Sequence, residues 1–436
     1  MRKVITIGCA AAFALAVACS RPAGPAGADS AAPAAHASGS PQTVRVSAEN
    51  TDAAEPAVAA GRDGTAYVAW VEHRAGGADV WVGRFDGGGK PLAPPARVNA
   101  EPGAATAWRG DPPAVALAPD GTIYVTWTSR AAGAGGAAVQ LSASRDGGRS
   151  FAAPVKVNDD ATEADHGLHS LAVAPDGRLY VAWLDDRRAA TEAHAEPAPG
   201  AKHAEGNREL FFASSSDGGR TFNANRRVAS EVCPCCKTSL ALAADGRVYV
   251  SWRQVLPGNF RHIAVASSAD GGQTFTPPAI VSDDRWQLAG CPVSGAALSV
   301  APDGVLRVLW YSAGEGGKAG LYHSESRDGG RTFAPRALFA ETSVGGTPSL
   351  VDGGGGGGPV AVWHDRSGGA ARIEAAYLAG GRQSPAGFAL AEAGELPAAS
   401  AATGRIFVAY TAGDAGRREL RLVSATPPAR ADVSRK

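Results

Sequence analysis

A pattern of short strands that returns seven times is the feature that most constrains the fold of this chain. One copy reads HSLAVAPDGRLYVAWLDDR from His169 and continues as ELFFASSSDGGRTF from Glu209. The copies recur about every 50 to 60 residues, apart from one insertion between Arg188 and Arg208, and a long period of this kind is typical of repeat architectures. Their first strands start near Pro56, Pro113, Ser170, Ser239, Ala296, Ser349 and Ala399.

Each copy contains short apolar or alternating runs that are separated by turn residues. The PDG and ADG motifs predict tight turns, because glycine accepts a positive φ and aspartate bonds to its own backbone. The run YVAW is β-branched and aromatic, as strands favour. A large aromatic residue closes this run in every copy, at Trp70, Trp127, Trp183, Trp252, Trp310, Trp363 and Tyr410. The pattern predicts an all-β fold, a seven-bladed β-propeller of four-stranded antiparallel blades.

The two ends of the repeat region complement each other. The stretch TVRVS, from Thr43 to Ser47, has the pattern of a fourth strand whose first three strands are missing. The last copy ends in ELRLVSA and lacks a fourth strand. Pairing of these two strands would close the ring and remove open sheet edges, which invite aggregation. We therefore expect the propeller to span residues 43–425 and to be closed by the N-terminal strand.

The segment before the repeats has the composition of an export signal followed by a tether. MRK is positively charged, VITIGCAAAFALAVA is apolar, and Cys19 follows at once. LAVAC resembles a bacterial lipobox, in which the cysteine is lipidated; an ordinary secretory signal is the alternative. We expect a lipoprotein-type signal peptide at 1–18, a flexible Ala/Pro/Gly/Ser tether at 19–42, a tail at 426–436, and a location in the bacterial cell envelope or periplasm.

Charge and hydropathy exclude two kinds of partner. The formal net charge is +0, and the basic patch that marks a nucleic-acid-binding protein is missing from the sequence. No run of about 20 apolar residues follows the N-terminal segment, so the only membrane attachment that we expect is the lipid anchor.

A second repeated phrase, of the form SRDGGRTF, begins at Ser144, Ser215, Ser268 and Ser326. It resembles the Asp box (BNR repeat), Ser-x-Asp-x-Gly-x-Thr-aromatic, of the sialidase (neuraminidase) superfamily, and the resemblance covers the whole repeat region. The phrase falls between the third and fourth strands, where its hydroxyl and carboxylate groups can tie the turn to the backbone. We expect this structural role, with Phe151, Phe222, Phe275 and Phe333 packed beneath the turns. The alternative is a calcium or glycan role for Asp146, Asp217, Asp270 and Asp328.

The resemblance does not carry the catalytic set of the sialidases with it. Sialidases have six blades, three arginines for the substrate carboxylate, a Tyr–Glu nucleophile pair, an aspartate acid/base and an Arg-Ile-Pro motif. This chain has seven copies, and its nearest approach to that motif is WRGDPPAVAL, which contains Arg109, Asp111 and Pro112. If the chain is a hydrolase, Asp111 is the candidate acid/base, and Tyr311 with Glu315 is the candidate nucleophile pair.

By analogy with other propellers, we expect ligands on the face opposite the Asp boxes. The loops after YVAW and the loops before each first strand lie there, and several of them carry charged residues. An arginine fork suits a carboxylate or a phosphate; the alternative is a set of loop charges that pair with one another. The ligand-binding candidates are Arg74, Arg109, Arg130, Asp185, Asp186, Arg187, Arg253, His364, Asp365 and Arg366.

Cysteines mark a third candidate site. Apart from Cys9 and Cys19 in the N-terminal segment, the cysteines are Cys233, Cys235, Cys236 and Cys291. They lie in the loops before copies four and five. In an exported protein the default is two disulfides; we expect Cys291 to be bonded to one of the other three, and the second pairing stays open. Vicinal Cys235 and Cys236 do not bridge each other without strain. The alternative is a soft-metal site for copper or zinc, to which His166 and His169 could contribute from the loop before copy three.

Two functions therefore remain open. The first is an exported, lipid-anchored binding protein that holds a soft metal ion or an anionic or glycan group and presents it to an envelope protein partner. The second is a sialidase-like exo-glycoside hydrolase. The missing Arg-Ile-Pro motif and the unmatched Tyr–Glu pair favour binding.

Overall fold

The repeated pattern folds into antiparallel strands, so the prediction of an all-β chain built on four-stranded sheets is confirmed. The computed structural model describes residues 42–106, 108, 110–130, 135–188, 208–288, 290, 292–315, 317–343, 346–352, 358–379, 382–383 and 387–427. Within this part of the chain, no helix has the length and apolar character that a membrane span requires.

The first two copies each form one four-stranded sheet. The first copy contains β2 (Asp52–Ala60), β3 (Ala66–Arg74), β4 (Gly77–Phe85) and β5 (Pro91–Arg97). The second contains β6 (Ala114–Leu117), β7 (Ile123–Ser129), β8 (Ala138–Ser144) and β9 (Val155–Lys156).

Copies three and four join in one eight-stranded sheet. The third copy contains β10 (His166–Val173), β11 (Leu179–Asp185), β12 (Arg208–Ser215) and β13 (Arg226–Val232). The fourth contains β14 (Ser239–Leu242), β15 (Val248–Leu256), β16 (Phe260–Ser268) and β17 (Ala279–Ile280).

The last three copies form one sheet each. The fifth copy contains β18 (Ala296–Val300), β19 (Leu306–Ser312), β20 (Gly320–Ser326) and β21 (Ala337–Glu341). The sixth contains β22 (Ser349–Asp352), β23 (Pro359–Asp365), β24 (Arg372–Ala379), β25 (Arg382–Gln383) and β26 (Phe388–Ala391). The seventh contains β27 (Glu395–Ala402), β28 (Arg405–Ala412) and β29 (Glu419–Ala425), to which β1 (Gln42–Arg45) is added.

The number of sheets differs from the predicted seven. The described strands form six hydrogen-bonded sheets, because Val232 at the end of β13 pairs with Gln254 in β15. This one pair connects the outer strand of copy three to the second strand of copy four. A sequence pattern shows strands and turns, but it does not show whether neighbouring sheets share a backbone pair.

The strand before the first copy pairs with the last of the described strands, as the sequence predicted. Strand β1 lies antiparallel to β29, with Gln42 opposite Ser424 and Arg45 opposite Arg421. The first strands of successive copies contact one another in chain order, and β27 of the seventh copy contacts β2 of the first.

The hydrophobic core lies between neighbouring copies. Trp252 of copy four packs in one cluster with Tyr180 and Phe212 of copy three, and Trp70 of copy one packs with Phe407 and Leu422 of copy seven. These aromatic residues occupy the same position in the second strand of each copy, and there they pack each sheet against the next. Truncation of such a buried tryptophan costs about 3–5 kcal/mol.

The Asp-box phrases tie the turns between third and fourth strands. In the first box, Asp146 Oδ1 accepts hydrogen bonds from the Ser144 hydroxyl (2.8 Å) and from the backbone N–H of Arg149 (2.9 Å) and Ser150 (3.0 Å). The Ser150 hydroxyl donates to Asp146 Oδ2 at 2.6 Å. These bonds hold the pKa of Asp146 well below its ordinary value, and the other three boxes repeat them. Since both carboxylate oxygens accept bonds from the turn itself, the structural role follows.

Candidate functional site

The face opposite the Asp-box turns, which we call the loop face, carries most of the residues that the sequence singled out. Because the strands of each copy alternate in direction, the loops after second strands and those before first strands lie at this end. A pocket of about 330 Å³ opens there between copies two, three and four, and we call it the loop-face pocket. Its aromatic and charged lining residues are Trp108, Asp111, Arg130, Asp165, His166 and Arg208.

One wall of the loop-face pocket is aromatic. Trp108 is 42% exposed, which is unusual for so large an apolar side chain. Arg130 and Arg208 contribute guanidinium groups to the same pocket. Arg130 pairs with Asp165 at 2.6 Å and Arg208 pairs with Asp186 at 2.8 Å. The pocket therefore combines an accessible ring with two cations that are held in place by carboxylates.

Asp111 lies between a hydroxyl and an imidazole. The Thr128 hydroxyl donates to Asp111 Oδ2 at 2.5 Å, and His169 Nδ1 lies 3.1 Å from Asp111 Oδ1. Burial alone would raise the pKa of Asp111, but His169, Lys237 and Thr128 together outweigh it and lower the pKa to about 2. Asp111 is therefore ionised at neutral pH, a state that suits a base and not an acid.

Lys237 connects this region to a second cavity. Its ammonium group donates to the carbonyl oxygen of Pro112 at 2.8 Å. Burial lowers the pKa of Lys237 to about 8, against the opposing charge of Asp111. Lys237 lines this second cavity, which has a volume of about 310 Å³ and whose wall contains residues from the first strands of all seven copies or the loops just before them.

His166 belongs to an ion network in copy three. Its Nδ1 lies 2.8 Å from the carbonyl oxygen of Ala137, and its Nε2 lies 3.0 Å from Asp160 Oδ1 and 3.3 Å from Asp185 Oδ2. Arg187 reaches Asp185 at 2.8 Å and Asp160 at 3.5 Å. The three ligand-type residues converge as a metal site would require, but the guanidinium group of Arg187 supplies a cation to the same carboxylates.

Of the remaining arginine candidates, two pair with carboxylates and one is buried. Arg74 pairs with Glu72 at 3.0 Å and Asp79 at 3.1 Å, and Arg366 pairs with Glu395. Arg253, in contrast, is completely buried. The candidate Arg109 lies outside the described residues.

The acidic and imidazole candidates on these loops also have local partners. Asp186 pairs with Arg208, and burial raises its pKa. Asp365 accepts hydrogen bonds from the Thr342 hydroxyl and from Ser367. Arg366 Nε lies 3.3 Å from His364 Nε2.

Tyr311 and Glu315 have separate surroundings in copy five. The ring of Tyr311 packs edge-on against Trp286 at 5.6 Å, and burial raises the pKa of Tyr311. The exposed carboxylate of Glu315 lies 3.3 Å from Arg285 Nε. Neither residue lines the loop-face pocket that contains Asp111.

Three cysteines before copy four form a buried sulfur cluster. Cys233 Sγ lies 3.5 Å from Cys236 Sγ and 3.8 Å from Cys235 Sγ, and all three sulfurs lie within 4.8 Å of one another. Cys233 and Cys236 are free, whereas Cys235 is disulfide-bonded. Cys291 lies outside the described residues, so its bond to one of the three stays a prediction. The default expectation of two disulfides does not hold for this cluster, because two of its thiols are unbonded.

Two buried arginines accompany the cluster. Arg261 Nη1 donates to Cys233 Sγ at 2.9 Å, and Arg253 donates to the carbonyl oxygens of Ser294 (2.9 Å) and Tyr311 (3.0 Å). The hydrogen bond with Cys236, ahead of the charges of the two arginines, lowers the pKa of Cys233 to about 6 although burial opposes it. Burial raises the pKa of Cys236.

Several residues of these sites were not among the sequence-based candidates: Trp108, Asp165, Arg208, Lys237 and Arg261. Trp108 stands in the WRGDPP stretch beside Asp111, where an aromatic residue in a polar loop is a usable signal. Arg261 is the second residue of β16, at the loop end of a third strand. That position follows from the strand register only after the β15–β16 hairpin has been placed.

A protein-family model with the description "BNR repeat-like domain" matches residues 64–377 of this chain. No curated protein matches the chain at a significant level.

Solved structures share the fold at low sequence identity. A protein of unknown function from Dyadobacter fermentans is 15% identical with a TM-score of 0.51, over 88% of this chain and 97% of that chain. The polysaccharide lyase Uly1 is 13% identical with a TM-score of 0.52, over 85% and 89%. The NanB sialidase of Streptococcus pneumoniae is 11% identical with a TM-score of 0.50, over 90% and 95%. At these identities the comparisons establish the fold alone.

Proposed function

Since this chain belongs to the BNR repeat-like domain family and has a sialidase-like propeller fold, we propose that it is a binding protein that holds an anionic or glycan ligand in the loop-face pocket. The observation that carries the proposal is the exposed ring of Trp108 beside the guanidinium groups of Arg130 and Arg208. An aromatic face packs against the apolar side of a sugar ring, and an arginine fork binds a carboxylate.

The carboxylates that pair with the two pocket arginines support selection of a ligand by charge. Asp165 and Asp186 hold the two arginines by ion pairs, so the arginines need little reordering when a ligand arrives. A carboxylated sugar would gain from both guanidinium groups and from the ring of Trp108. A neutral sugar would gain from the ring alone.

Hydrolysis of a glycoside is the second candidate, and the observation that favours it is the ionised Asp111 in the pocket, which suits a general base and leaves the general acid to another residue. A retaining glycosidase needs a second catalytic group about 5 Å from the first. Tyr311 and Glu315 have their own partners in copy five. Binding therefore accounts for the pocket with fewer requirements than catalysis does.

We also propose a number of blades, a closed ring and a membrane attachment for this chain. We count the eight-stranded sheet as two blades that share the pair Val232–Gln254, which gives seven blades in total. Pairing of β1 with β29 and contact of β27 with β2 support a closed ring. The chain would be exported and attached to the membrane through a lipid on Cys19, with the tether at 19–42 presenting the loop face to an envelope protein partner.

Calorimetric titration of the full chain with N-acetylneuraminic acid, glucuronic acid and glucose tests the proposal. We expect an acidic sugar to bind and glucose to bind at least tenfold more weakly, a difference of about 1.4 kcal/mol. Trp108→Ala should weaken binding of the acidic sugar by a similar factor, because the ring face is lost. Leu92→Ala is the matched control, since Leu92 is 43% exposed on β5, away from the pocket.

The same titrations separate the two candidate functions. Equal binding of acidic and neutral sugars, or a Trp108→Ala chain that binds as the natural chain does, would exclude the pocket as the anion site. Release of a reducing sugar from a sialoside by the full chain, lost in Asp111→Asn, would favour the hydrolase.

A further inference from the structure

We propose that Cys233, Cys235 and Cys236 form a binding site for Cu(I), in which the two free thiols hold the ion and the third sulfur completes the site once its disulfide is reduced. Cys235 also lines the loop-face pocket, but the three sulfurs are not among the groups that we propose to hold the sugar, so this proposal does not depend on sugar binding.

The spacing of the sulfurs fits a metal–thiolate centre. Metal–sulfur bonds of about 2.3 Å place sulfurs about 3.8 Å apart around a tetrahedral ion and about 4.0 Å apart around a trigonal planar ion. Cys233 Sγ lies 3.5 Å from Cys236 Sγ and 3.8 Å from Cys235 Sγ. These two pairs need to move by only a few tenths of an ångström to match such a centre, and the third pair lies within 4.8 Å.

Buried positive charge beside the sulfurs is the second, independent observation. Within the described part of the chain, the hydrogen-bond acceptors of Arg253 are carbonyl oxygens, and those of Arg261 are the Asn259 side chain and Cys233 Sγ. Both arginines are buried, and none of the ion pairs among the described residues joins either of them to a carboxylate. An isolated buried charge is costly, so this region calls for an anionic centre.

Charge balance favours Cu(I) over Zn(II). Three thiolates around Cu(I) carry two negative charges, which match the two guanidinium groups. The same thiolates around Zn(II) carry only one negative charge. Soft thiolates bind both Cu(I) and Zn(II), so the charge balance decides between the two ions.

The site has a route to the solvent. Pro234 and Cys235 line the loop-face pocket, and Cys235 is 3% exposed while Cys233 and Cys236 are completely buried. An ion or a small reductant that enters the pocket therefore reaches the sulfur of Cys235 first. The disulfide of Cys235 then determines whether the cluster offers two sulfurs or three.

Completion of the site requires a thiol reductant. A small dithiol gives two electrons and two protons to the disulfide of Cys235; its S–S bond breaks, two thiols form, and the dithiol itself becomes a disulfide. Cu(I) then displaces the proton from each thiol that is still protonated, and its oxidation state does not change.

The test uses the full chain without oxygen, titrated with Cu(I) in competition with the chromophoric chelator bicinchoninate. One sample is titrated as isolated, and the other after treatment with dithiothreitol and removal of the reagent. We expect one copper per chain in both samples, with at least tenfold tighter binding after reduction. X-ray absorption at the copper edge should show two sulfur neighbours before reduction and three after it.

Variants assign the ligands. Cys233→Ser and Cys236→Ser should abolish tight binding, and Cys235→Ser should remove the gain on reduction. Arg261→Ala should weaken binding by about 10- to 100-fold, as loss of a partner outside the ligand shell does at other metal sites. Ser251→Ala, which changes another buried polar side chain in copy four, is the control for folding and should bind as the natural chain does.

Three results would overturn the proposal: nitrogen or oxygen neighbours at the copper edge, less than one copper in five chains after reduction, or Zn(II) that displaces Cu(I) at equal concentration. Because the absorption measurement uses the natural chain, it decides the question even if a cysteine variant fails to fold. Loss of copper binding would leave sugar binding unchanged, so failure of this proposal is distinct from failure of the first.

Discussion

Asp111 shows how one residue can affect both the stability of this fold and its chemistry. Its carboxylate bonds to Thr128 and His169 and faces the charge of Lys237, all within the region where copies two, three and four meet. A carboxylate that is buried and paired in the folded chain is more acidic there than in the unfolded chain. The stability of the fold must therefore depend on pH through this residue.

We expect acid to remove a defined part of the stability. The pKa of Asp111 falls from an ordinary value of 3.8 to about 2 on folding. Its contribution, about 2 kcal/mol, is present above pH 4 and is lost as the pH falls towards 2. Urea unfolding measures the free energy of unfolding at pH 6 and at pH 2. The loss of this free energy between the two pH values should be smaller by about 2 kcal/mol in Asp111→Asn than in the natural chain.

The control for the acid experiment is Asp303→Asn, which alters an exposed turn aspartate in copy five. It should leave the difference between the two pH values as it is in the natural chain. If Asp111→Asn shows the full pH dependence of the natural chain, Asp111 does not carry this part of the stability.

Among the elements, the Asp-box turns are the best defined by the sequence. In the second box, Asp217 accepts hydrogen bonds from the backbone N–H of Arg220 (2.9 Å) and from the Thr221 hydroxyl (2.7 Å). Phe222 packs against the core between copies two and three. Each box therefore holds a hairpin closed and anchors it to the core at the same time.

Loss of one box carboxylate should weaken the fold without affecting the loop face. We expect Asp217→Ala to lower the free energy of unfolding by about 1–2 kcal/mol, because several turn donors lose their acceptor together. Asp176→Ala, in another turn of copy three, should cost less, since Asp176 accepts one backbone bond there, from Arg178. Denaturant unfolding measures both, and a rise in stability on addition of calcium would contradict the structural role.

The sequence predicted the strands and turns, but it did not predict how neighbouring sheets pair or which residues the loops bring together. The register of Trp252 and its counterparts follows from strand periodicity, because alternate residues share a face, and that register fixed the strands and turns correctly. The pair Val232–Gln254 depends on the angle between two sheets, which no periodic pattern encodes. Trp108 lies in a loop, and Arg261 lies at the start of a strand, next to a loop. The strand periodicity does not extend into the loops, so the contacts of these two residues could not be predicted from sequence spacing.

At the scale of the whole molecule, pairing of β1 with β29 determines whether the seventh copy is complete. The backbone N–H of Val46, just after β1, donates to the carbonyl oxygen of Leu420 at 2.8 Å, and Asp52 pairs with Arg418 at 2.7 Å. Contacts between residues this far apart in the chain add stability only once both segments have folded against each other.

Removal of the bond from Val46 should therefore weaken the whole fold. We expect Val46→Pro to lower the unfolding free energy by about 2 kcal/mol more than Val46→Ala does, because both lose apolar contact but only proline removes the N–H. The proline chain should also aggregate more, since the edge of β29 becomes accessible. Thermal unfolding and light scattering measure the two effects, and equal behaviour of the two variants would show that the bond is not needed.

Pairing of β1 with β29 also determines when the seventh copy can be completed during synthesis. Of all the described strands, β1 is the first to leave the ribosome and β29 is the last, yet each is the other's neighbour. During synthesis, β1 therefore has no partner strand until β29 has been made. A chain that stops before β29 therefore leaves the backbone edge of β1 unpaired.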